Sequence, residues 1–162
     1  MRAWAVVIIV VALIAAAVFL YFYFSQGRVD IYVADPPDPL GAVYITFTSV
    51  ALHRVGNNSG WVVVFNGTKT VALSHTPQLL VSASVPAGEY NEIFFTVSSV
   101  TVEISGVNVT ARMPSGVFKV HIIGGMRLNG GSEEKLLISF PHITVANGQI
   151  IISPSITAQV IS

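Results

Sequence analysis

The sequence contains no cysteine, which excludes disulfide bonds, thiolate metal sites and thiol catalysis. Charge is also scarce, because Asp, Glu, Lys and Arg make up only 10% of the residues, against about 25% in a typical soluble domain. The eight basic residues balance the eight acidic ones and do not cluster, so the footprint of a nucleic-acid-binding protein is missing. The abundant residues are those typical of strands and tight turns, namely Val, Ile, Thr, Ser and Gly.

The longest apolar run covers residues 3–24, which carry no charge. As a helix this run would be roughly 33 Å long, which matches a bilayer hydrocarbon core of about 30 Å. Trp4 lies near one end, and Tyr21 and Tyr23 lie near the other, where amphipathic aromatic rings favour the lipid headgroups. Residues 1–24 are therefore predicted to form a transmembrane signal-anchor helix in contact with the lipid bilayer.

The charges around this run predict its orientation. The α-amine and Arg2 precede it, whereas Arg28 and Asp30 follow it and cancel each other. Positive charge is retained on the cytoplasmic side of membrane helices. The prediction is a single-pass protein of the cell membrane, with a cytoplasmic N-terminus, Arg2 at the inner interface and an extracellular domain.

A cleaved signal peptide is the alternative interpretation of the same run. Ala15, Ala16 and Ala17 fit the small-residue pattern of a cleavage site. Cleavage there would leave residues 18–24 as an apolar terminus, which would need a place in a membrane, a neighbouring subunit or the core. Both interpretations stay open at this point.

Residues 25–29 are expected to form a linker, and residues 30–162 to form one extracellular domain. Within that domain apolar and polar residues alternate, which indicates strands exposed on one face. About nine or ten such strands, separated by turn residues, predict an all-β fold. The expected architecture is an antiparallel β-sandwich or barrel, with the sandwich preferred.

Five local patterns give more specific expectations. A shift in apolar parity predicts a β-bulge near Thr48-Ser49. Residues 61–65 are apolar throughout, which predicts a strand buried on both faces, and Asn66-Gly67 directly after them predicts a two-residue hairpin turn. Residues 79–85 are expected as a short helix or an irregular crossing, and residues 114–116 (Pro-Ser-Gly) as a turn.

An ordered series of mild motifs runs from Asp30 to the C-terminus. The motifs are Ile31-Tyr32-Val33-Ala34-Asp35-Pro36-Pro37, residues 42–47 with Leu52-His53-Arg54, Gly60-Trp61, Val85-Pro86-Ala87-Gly88-Glu89-Tyr90, Pro114-Ser115-Gly116 and Ser153-Pro154. In this order and spacing the stretch resembles the family catalogued as domain of unknown function 4382. It departs from the family in having Pro36 where Ala is usual, and in a shorter, less helical middle segment. The resemblance implies an exported, often membrane-anchored β-sandwich of bacteria and archaea, and it implies no activity and no functional residues.

Three aspartates near one another, Asp30, Asp35 and Asp38, raise the question of a calcium site. The alternating ligand pattern of a calcium loop is missing, and three prolines stiffen the segment. Asp35 is therefore expected to cap a turn through its own backbone, and no metal ligand is predicted.

Other catalytic or cofactor signatures are also missing. The four histidines, which are His53, His75, His121 and His142, lack metal-ligand spacing and are expected at the surface or in turns. No serine stands in the Gly-x-Ser-x-Gly frame of a hydrolase, and the glycine pairs are too short to cradle phosphate. We therefore expect no catalytic residue, no cofactor and no enzymatic activity.

Three Asn-x-Ser/Thr triplets mark glycosylation candidates at Asn57, Asn66 and Asn108 if the domain is outside the cell. Asn57 is expected in a loop and Asn108 on the outward parity of a strand. Asn66, in the predicted hairpin turn, is the least certain acceptor of the three.

Two rows of outward residues are a possible interaction surface. The first contains Tyr44, Thr46 and Thr48, and the second contains Thr101 and Glu103. The ordinary outer face of an antiparallel sheet has the same appearance, and that interpretation is preferred.

The favoured function is a non-enzymatic, membrane-anchored cell-surface protein for binding or adhesion at the cell envelope, with envelope glycans, envelope proteins or copies of itself as partners. One alternative is a subunit of an extracellular filament, in which the N-terminal strip or residues 29–33 complete a neighbour's sheet by strand addition. The other alternative, less favoured, is a surface metal-dependent hydrolase.

Overall fold

The computed structural model describes residues 2–35, 41–140, 143–152 and 155–162, without the side chains of 112–115. This part of the chain forms one helix followed by ten strands. The helix α1 spans Arg2–Ser25. The strands are β1 (Gln26–Ala34), β2 (Val43–Val55), β3 (Gly60–Ala72), β4 (Gln78–Pro86), β5 (Gly88–Ile104), β6 (Val107–Leu128), β7 (Glu133–Ser139), β8 (Ile143–Ala146), β9 (Gln149–Ile152) and β10 (Thr157–Ile161). The predicted all-β class with one N-terminal helix is confirmed.

Eight of these strands form a continuous sheet that is folded into two layers. The strand order is β3-β2-β5-β6-β10-β7-β1-β4, and β8 and β9 form a separate hairpin. The first four strands pair antiparallel as one layer, and β10, β7, β1 and β4 form the other. Two pairings are parallel, β1 with β7 and β6 with β10. Most strand pairs of the predicted sandwich are therefore antiparallel, but not all of them.

The long strand β6 joins the two layers. It pairs with β5 along most of its length, but Ile122 and Ile123 pair with β10 instead. Gly124 and Gly125 follow at φ of 72° and 70°, a conformation that glycine adopts without steric cost. These two glycines let β6 leave β5 for the second layer and then return to it.

The core lies between the layers and is centred on phenylalanine. The Phe95 ring lies 5.8 Å from Phe47, 5.8 Å from Phe140 and 5.2 Å from Phe118, measured between centroids. Phe47, Phe95 and Phe140 are buried. Phe47 and Phe95 lie on the inward faces of β2 and β5, and Phe140 directly follows β7 of the other layer. Because the chain has no disulfide, burial of such side chains is the main source of its stability.

The structure confirms the bulge and corrects the prediction for β3. Register shifts fall beside Thr48 on both sides of β2, as expected. The hairpin predicted at Asn66-Gly67 is wrong, because β3 runs straight through both residues and the extra residue there is absorbed as an irregularity opposite β2. Residues 61–65 are not buried on both faces either, since β3 is an edge strand with Trp61 and Val63 exposed.

Three further segments differ from expectation. Residues 79–85 lie in β4, a strand paired antiparallel with β1 with one register shift at Leu80, and not in a helix or an irregular crossing. Residues 114–116 do not reverse the chain, because β6 continues through them and pairing with β5 shifts register instead. The segment 25–29, expected as a linker, belongs to the end of α1 and the start of β1.

Candidate functional site

Within the described residues, the helix α1 contacts the β domain only through its C-terminal end. None of its residues is buried, and it is long and apolar enough to cross a membrane, a property that signal sequences share. Arg2 and Trp4 lie in its first turn, and Tyr21 and Tyr23 in its last turns. The residues predicted for the two membrane interfaces therefore lie at opposite ends of the helix.

Backbone hydrogen bonds attach the end of α1 to the β domain. The Ser25 carbonyl accepts a bond of 2.9 Å from the Ala87 amide, and the Gln26 carbonyl accepts one of 2.9 Å from the Gly131 amide. Gly130 lies so close to the backbone of Phe24 that a Cβ atom has no room there. The domain is thus held directly against the end of the helix.

A polar cluster lies on the outer face of β1, next to this junction. The Asp30 carboxylate is buried and accepts hydrogen bonds from Ser82 and from Arg28 Nε, the latter at 3.2 Å. Burial raises the pKa of Asp30, but the bonds from Ser82, Glu133 and Arg28 outweigh it and lower the pKa overall. The hydrogen bond and charge of Asp30 in turn raise the pKa of Glu133. The cluster fastens β4 and β7 to β1.

A second cluster, which we call the Trp61 platform, lies on the outer face of the other layer. Direct cross-strand pairing places Trp61 beside His53, His53 beside Glu92, and Glu92 beside His121. One row of side chains therefore crosses β3, β2, β5 and β6 in succession. The platform is completed by three neighbours on the same face, which are Asn91, Phe94 and Lys119.

The Trp61 indole is braced by two rings. Its centroid lies 4.9 Å from that of His53 and 5.7 Å from that of Phe94, both in edge-to-face geometry. Asn91 Oδ1 lies 2.8 Å from His53 Nδ1 and fixes the orientation of the imidazole. The indole is nevertheless 44% exposed. An aromatic ring held rigidly by its neighbours and open to solvent loses little entropy when it contacts a partner.

Hydrogen-bonding and charged groups surround the indole. Lys119 Nζ lies 5.9 Å from the ring centroid, and His121 Nδ1 lies 3.5 Å from Glu92 Oε1. Asn91, Glu92 and His121 add further acceptors and donors within the same row or next to it. The arrangement can stack against the apolar face of a ligand and hydrogen-bond its polar edge.

Comparison with known families identifies the domain. The family model described as "Domain of unknown function (DUF4382)" matches residues 26–154. The chain belongs to this family. The DUF4382 match begins at the first residue of β1 and excludes α1, and it includes the whole of the Trp61 platform. No curated protein and no solved structure gives a significant match.

The structure brings two of the four histidines together and places a third elsewhere. His53 and His121 both belong to the platform of this DUF4382 domain, whereas His75 is exposed between β3 and β4. His142 lies outside the described residues. Among the residues that the structure describes, no group of three or more His, Asp or Glu side chains could hold a metal ion.

Two of the three aspartates considered for calcium have separate partners. Asp30 is held in the polar cluster of β1, and Asp35 Oδ2 accepts a hydrogen bond of 2.9 Å from Ser139. Asp38 lies outside the described residues. Asp35 thus contacts the end of β7, a partner distant in sequence.

The three glycosylation candidates are all exposed. Asn57 lies in the turn between β2 and β3, Asn66 in the edge strand β3, and Asn108 near the start of β6. Modification of each remains a prediction.

Each of the outward rows predicted from the sequence contributes one threonine to a cross-strand pair of hydroxyl groups. Thr46 and Thr70 are 2.8 Å apart across β2 and β3, and Thr101 and Thr110 are 2.9 Å apart across β5 and β6. Tyr44 is exposed beside them. These hydroxyls bond each other, as on an ordinary sheet face. The preferred interpretation of these rows from the sequence was an ordinary sheet face. The Trp61 platform was missed, because Trp61 was assigned to a buried strand.

Proposed function

We propose that this chain is a membrane-tethered, non-enzymatic binding domain that presents the Trp61 platform outside the cell. The tether is α1, and Arg2 ahead of it favours a cytoplasmic N-terminus. Because β1 begins at the residue after α1, the platform stands at a fixed height above the bilayer. The non-enzymatic part of the proposal rests on the sequence, which has neither cysteine nor a nucleophile frame.

The observation that carries the proposal is the exposed, braced indole of Trp61. Tryptophan is enriched among the few residues that dominate binding free energy at interfaces. The indole of Trp61 is open on a sheet face and has rings behind it. Its neighbours supply hydrogen bonds, so both an apolar and a polar contact are available at one place.

The chemistry of the platform favours a glycan of the cell envelope as the partner. A sugar ring has an apolar C–H face bordered by hydroxyl groups, which matches an indole bordered by Asn91, Glu92 and His121. Lys119 contacts the same indole, but a cation–π contact at an exposed site stabilises by only about 0.5–1 kcal/mol. A sugar stacked on the indole can therefore displace the Lys119 ammonium group from the ring. The ammonium group can then donate a hydrogen bond to a sugar hydroxyl.

Binding to purified envelope fractions tests this proposal. The full-length protein in detergent is incubated with deproteinised envelope polysaccharide and, separately, with the envelope protein fraction. We expect retention on the polysaccharide and competition by its soluble fragments. Retention on neither fraction would contradict envelope binding, and retention on the protein fraction alone would contradict a glycan partner.

The filament alternative loses one of its two donor segments. Residues 29–33 lie inside β1, paired with β4 on one side and β7 on the other. Donating them to a neighbouring subunit would require β1 to leave its own sheet and expose the core. This argument favours the tethered domain over a filament assembled through that segment.

A further inference from the structure

A recess opens between β5 and β6, next to the Trp61 platform. Tyr90 pairs with Met126 and Glu92 pairs with His121, so a single residue of β5, Asn91, stands opposite four residues of β6. Two of those four residues pair with β10 instead, and β5 and β6 therefore separate at this point. The opening is a cleft of about 200 Å³, which we call the Asn91 cleft.

The base of the Asn91 cleft is apolar, and one of its walls has no side chains. Tyr90 and Met126 line the cleft and are buried, so they form its base. Gly124 and Gly125 line one wall, and a Cβ atom on Gly125 would lie 3.5 Å from the Tyr90 carbonyl oxygen. A larger residue at Gly125 would therefore narrow the opening.

Two charged residues border the cleft. Glu89 and Arg127 both line it, and they are exposed, direct partners across β5 and β6, so their side chains lie on the same face of the sheet. A carboxylate accepts hydrogen bonds and a guanidinium group donates them. Together they can bind neighbouring hydroxyl groups of a sugar, because each hydroxyl group both donates and accepts.

His53 and Asn91 connect the cleft to the Trp61 platform. The His53 ring lies 4.9 Å from the Trp61 indole between centroids, and His53 Nδ1 lies 2.8 Å from Asn91 Oδ1. Asn91 in turn lines the cleft. Trp61 is on β3 and Asn91 is two strands away on β5, which places the indole and the cleft about 10 Å apart. A short oligosaccharide spans this distance, whereas a single sugar ring does not.

We propose that the Asn91 cleft is a second sugar-binding subsite and that the ligand of the whole site is a neutral oligosaccharide. One sugar stacks on Trp61, and a sugar further along the same chain enters the cleft and bonds to Glu89 and Arg127. This inference rests on the proposed function, because it extends the glycan site of the platform. The volume of about 200 Å³ is below the roughly 300–1,000 Å³ of a pocket for a drug-sized ligand, which suits one sugar unit.

The charges around the two subsites favour a neutral ligand. Glu89 stands opposite Arg127 at the cleft, and Glu92 and Lys119 both belong to the platform. Apart from the histidines, positive and negative side chains are therefore balanced. The carboxylate of an acidic sugar would meet Glu89 and Glu92 as like charges, which oppose binding. The hydroxyl groups of a neutral sugar can use side chains of both signs.

Size-graded fragments of the envelope polysaccharide test the second subsite. Neutral and acidic fragments, of one sugar unit and of several, compete with the immobilised polysaccharide for the full-length protein in detergent. The variants are Arg127→Ala in the cleft and Trp61→Ala on the platform. Lys135→Ala is the matched control, because Lys135 is also an exposed basic residue but lies on β7 of the other layer. Thermal unfolding checks that each variant is folded.

We expect neutral fragments of several units to compete roughly tenfold better than single sugars, because they occupy both subsites at once. Arg127→Ala should abolish this gain and leave competition by single sugars unchanged, whereas Trp61→Ala should weaken competition by fragments of every length. Equal competition by short and long fragments, or an Arg127→Ala variant that behaves like Lys135→Ala, would overturn the cleft subsite. Stronger competition by acidic fragments would overturn the neutral ligand. A wild-type protein that does not bind the polysaccharide at all would instead contradict the proposed function.

Discussion

Trp61 and His53 are direct cross-strand partners whose ring centroids lie 4.9 Å apart. The pair joins an edge strand to its neighbour and holds the indole upright on the sheet face. A polymeric glycan offers many copies of one sugar, so several tethered domains in one membrane can bind the same chain and raise the overall affinity without any new contact.

Replacing the indole is expected to weaken binding while leaving the fold intact. Trp61→Ala should reduce affinity for envelope polysaccharide about tenfold, which corresponds to about 1.4 kcal/mol, because the stacking surface is lost. Affinity is measured by titration of the full-length protein in detergent. Tyr44→Ala is the matched control, since Tyr44 is a comparably exposed aromatic residue on the same layer outside the platform. Equal losses in both variants would refute a specific role for Trp61.

The buried carboxylate of Asp30 gives a pH-dependent contribution to stability. Its pKa is lowered in the folded state, so the contribution is present above the ordinary value of 3.8 and is lost as the pH falls through the folded-state pKa. Asp30→Asn should therefore cost about 1–2 kcal/mol near pH 7 and progressively less below about pH 4. Thermal unfolding at a series of pH values measures the difference.

Glu133→Gln serves as the companion variant for Asp30→Asn. Glu133 has a raised pKa, so its proton favours the folded state at low pH and that benefit is lost as the pH rises through its folded-state pKa. Glutamine keeps a donor for Asp30 and does not titrate. The pH profile of the Glu133→Gln variant should therefore show a loss of stability only as the pH falls through the range in which Asp30 is protonated. A further loss as the pH rises above about 5 would contradict the assigned pair.

The phenylalanine cluster should dominate the stability of the domain. Phe95→Ala removes the ring that contacts three other aromatic rings and is expected to lower the free energy of unfolding by about 3–5 kcal/mol. Phe94→Ala is the natural comparison, because Phe94 is the adjacent residue on the outer, half-buried face. A loss from Phe94→Ala as large as that from Phe95→Ala would place the core on the wrong face of β5.

The close contact between Gly130 and Phe24 should make the junction sensitive to a single methyl group. Gly130→Ala must displace the end of α1, because its Cβ would overlap the Phe24 backbone. We expect faster cleavage near residue 25 by a non-specific protease, read by mass spectrometry of the fragments. Gly67→Ala, where a Cβ meets only ordinary contacts, should leave the cleavage rate unchanged. Equal cleavage of the two variants would indicate a flexible tether.

Local sequence signals predicted much of the fold but not every turn. Asn147-Gly148 forms a two-residue hairpin turn between β8 and β9, with φ of 52° and 74°, whereas the same dipeptide at Asn66-Gly67 lies inside β3. The difference is tertiary, because β2 has thirteen residues and offers β3 a partner along its whole length. A dipeptide propensity of this kind is overridden when a long neighbour extends the ladder.

The Trp61 platform could not be predicted from the sequence, for a related reason. An all-apolar run is compatible with a central strand or an edge strand, and only strand order decides which. Trp61, His53, Glu92 and His121 come from four strands and meet only through register. In contrast, the helix and its flanking residues depend on local composition and length, and they were predicted from the sequence.

The central claim is that the domain lies on the outer side of the cell membrane. An epitope tag is added after Ser162, protease is applied to intact cells that express the full-length protein, and the tag is followed by immunoblot before and after lysis. The tether with an external domain predicts loss of the tag from intact cells, with the protein in the membrane fraction. A tag that survives until the cells are lysed would contradict the account.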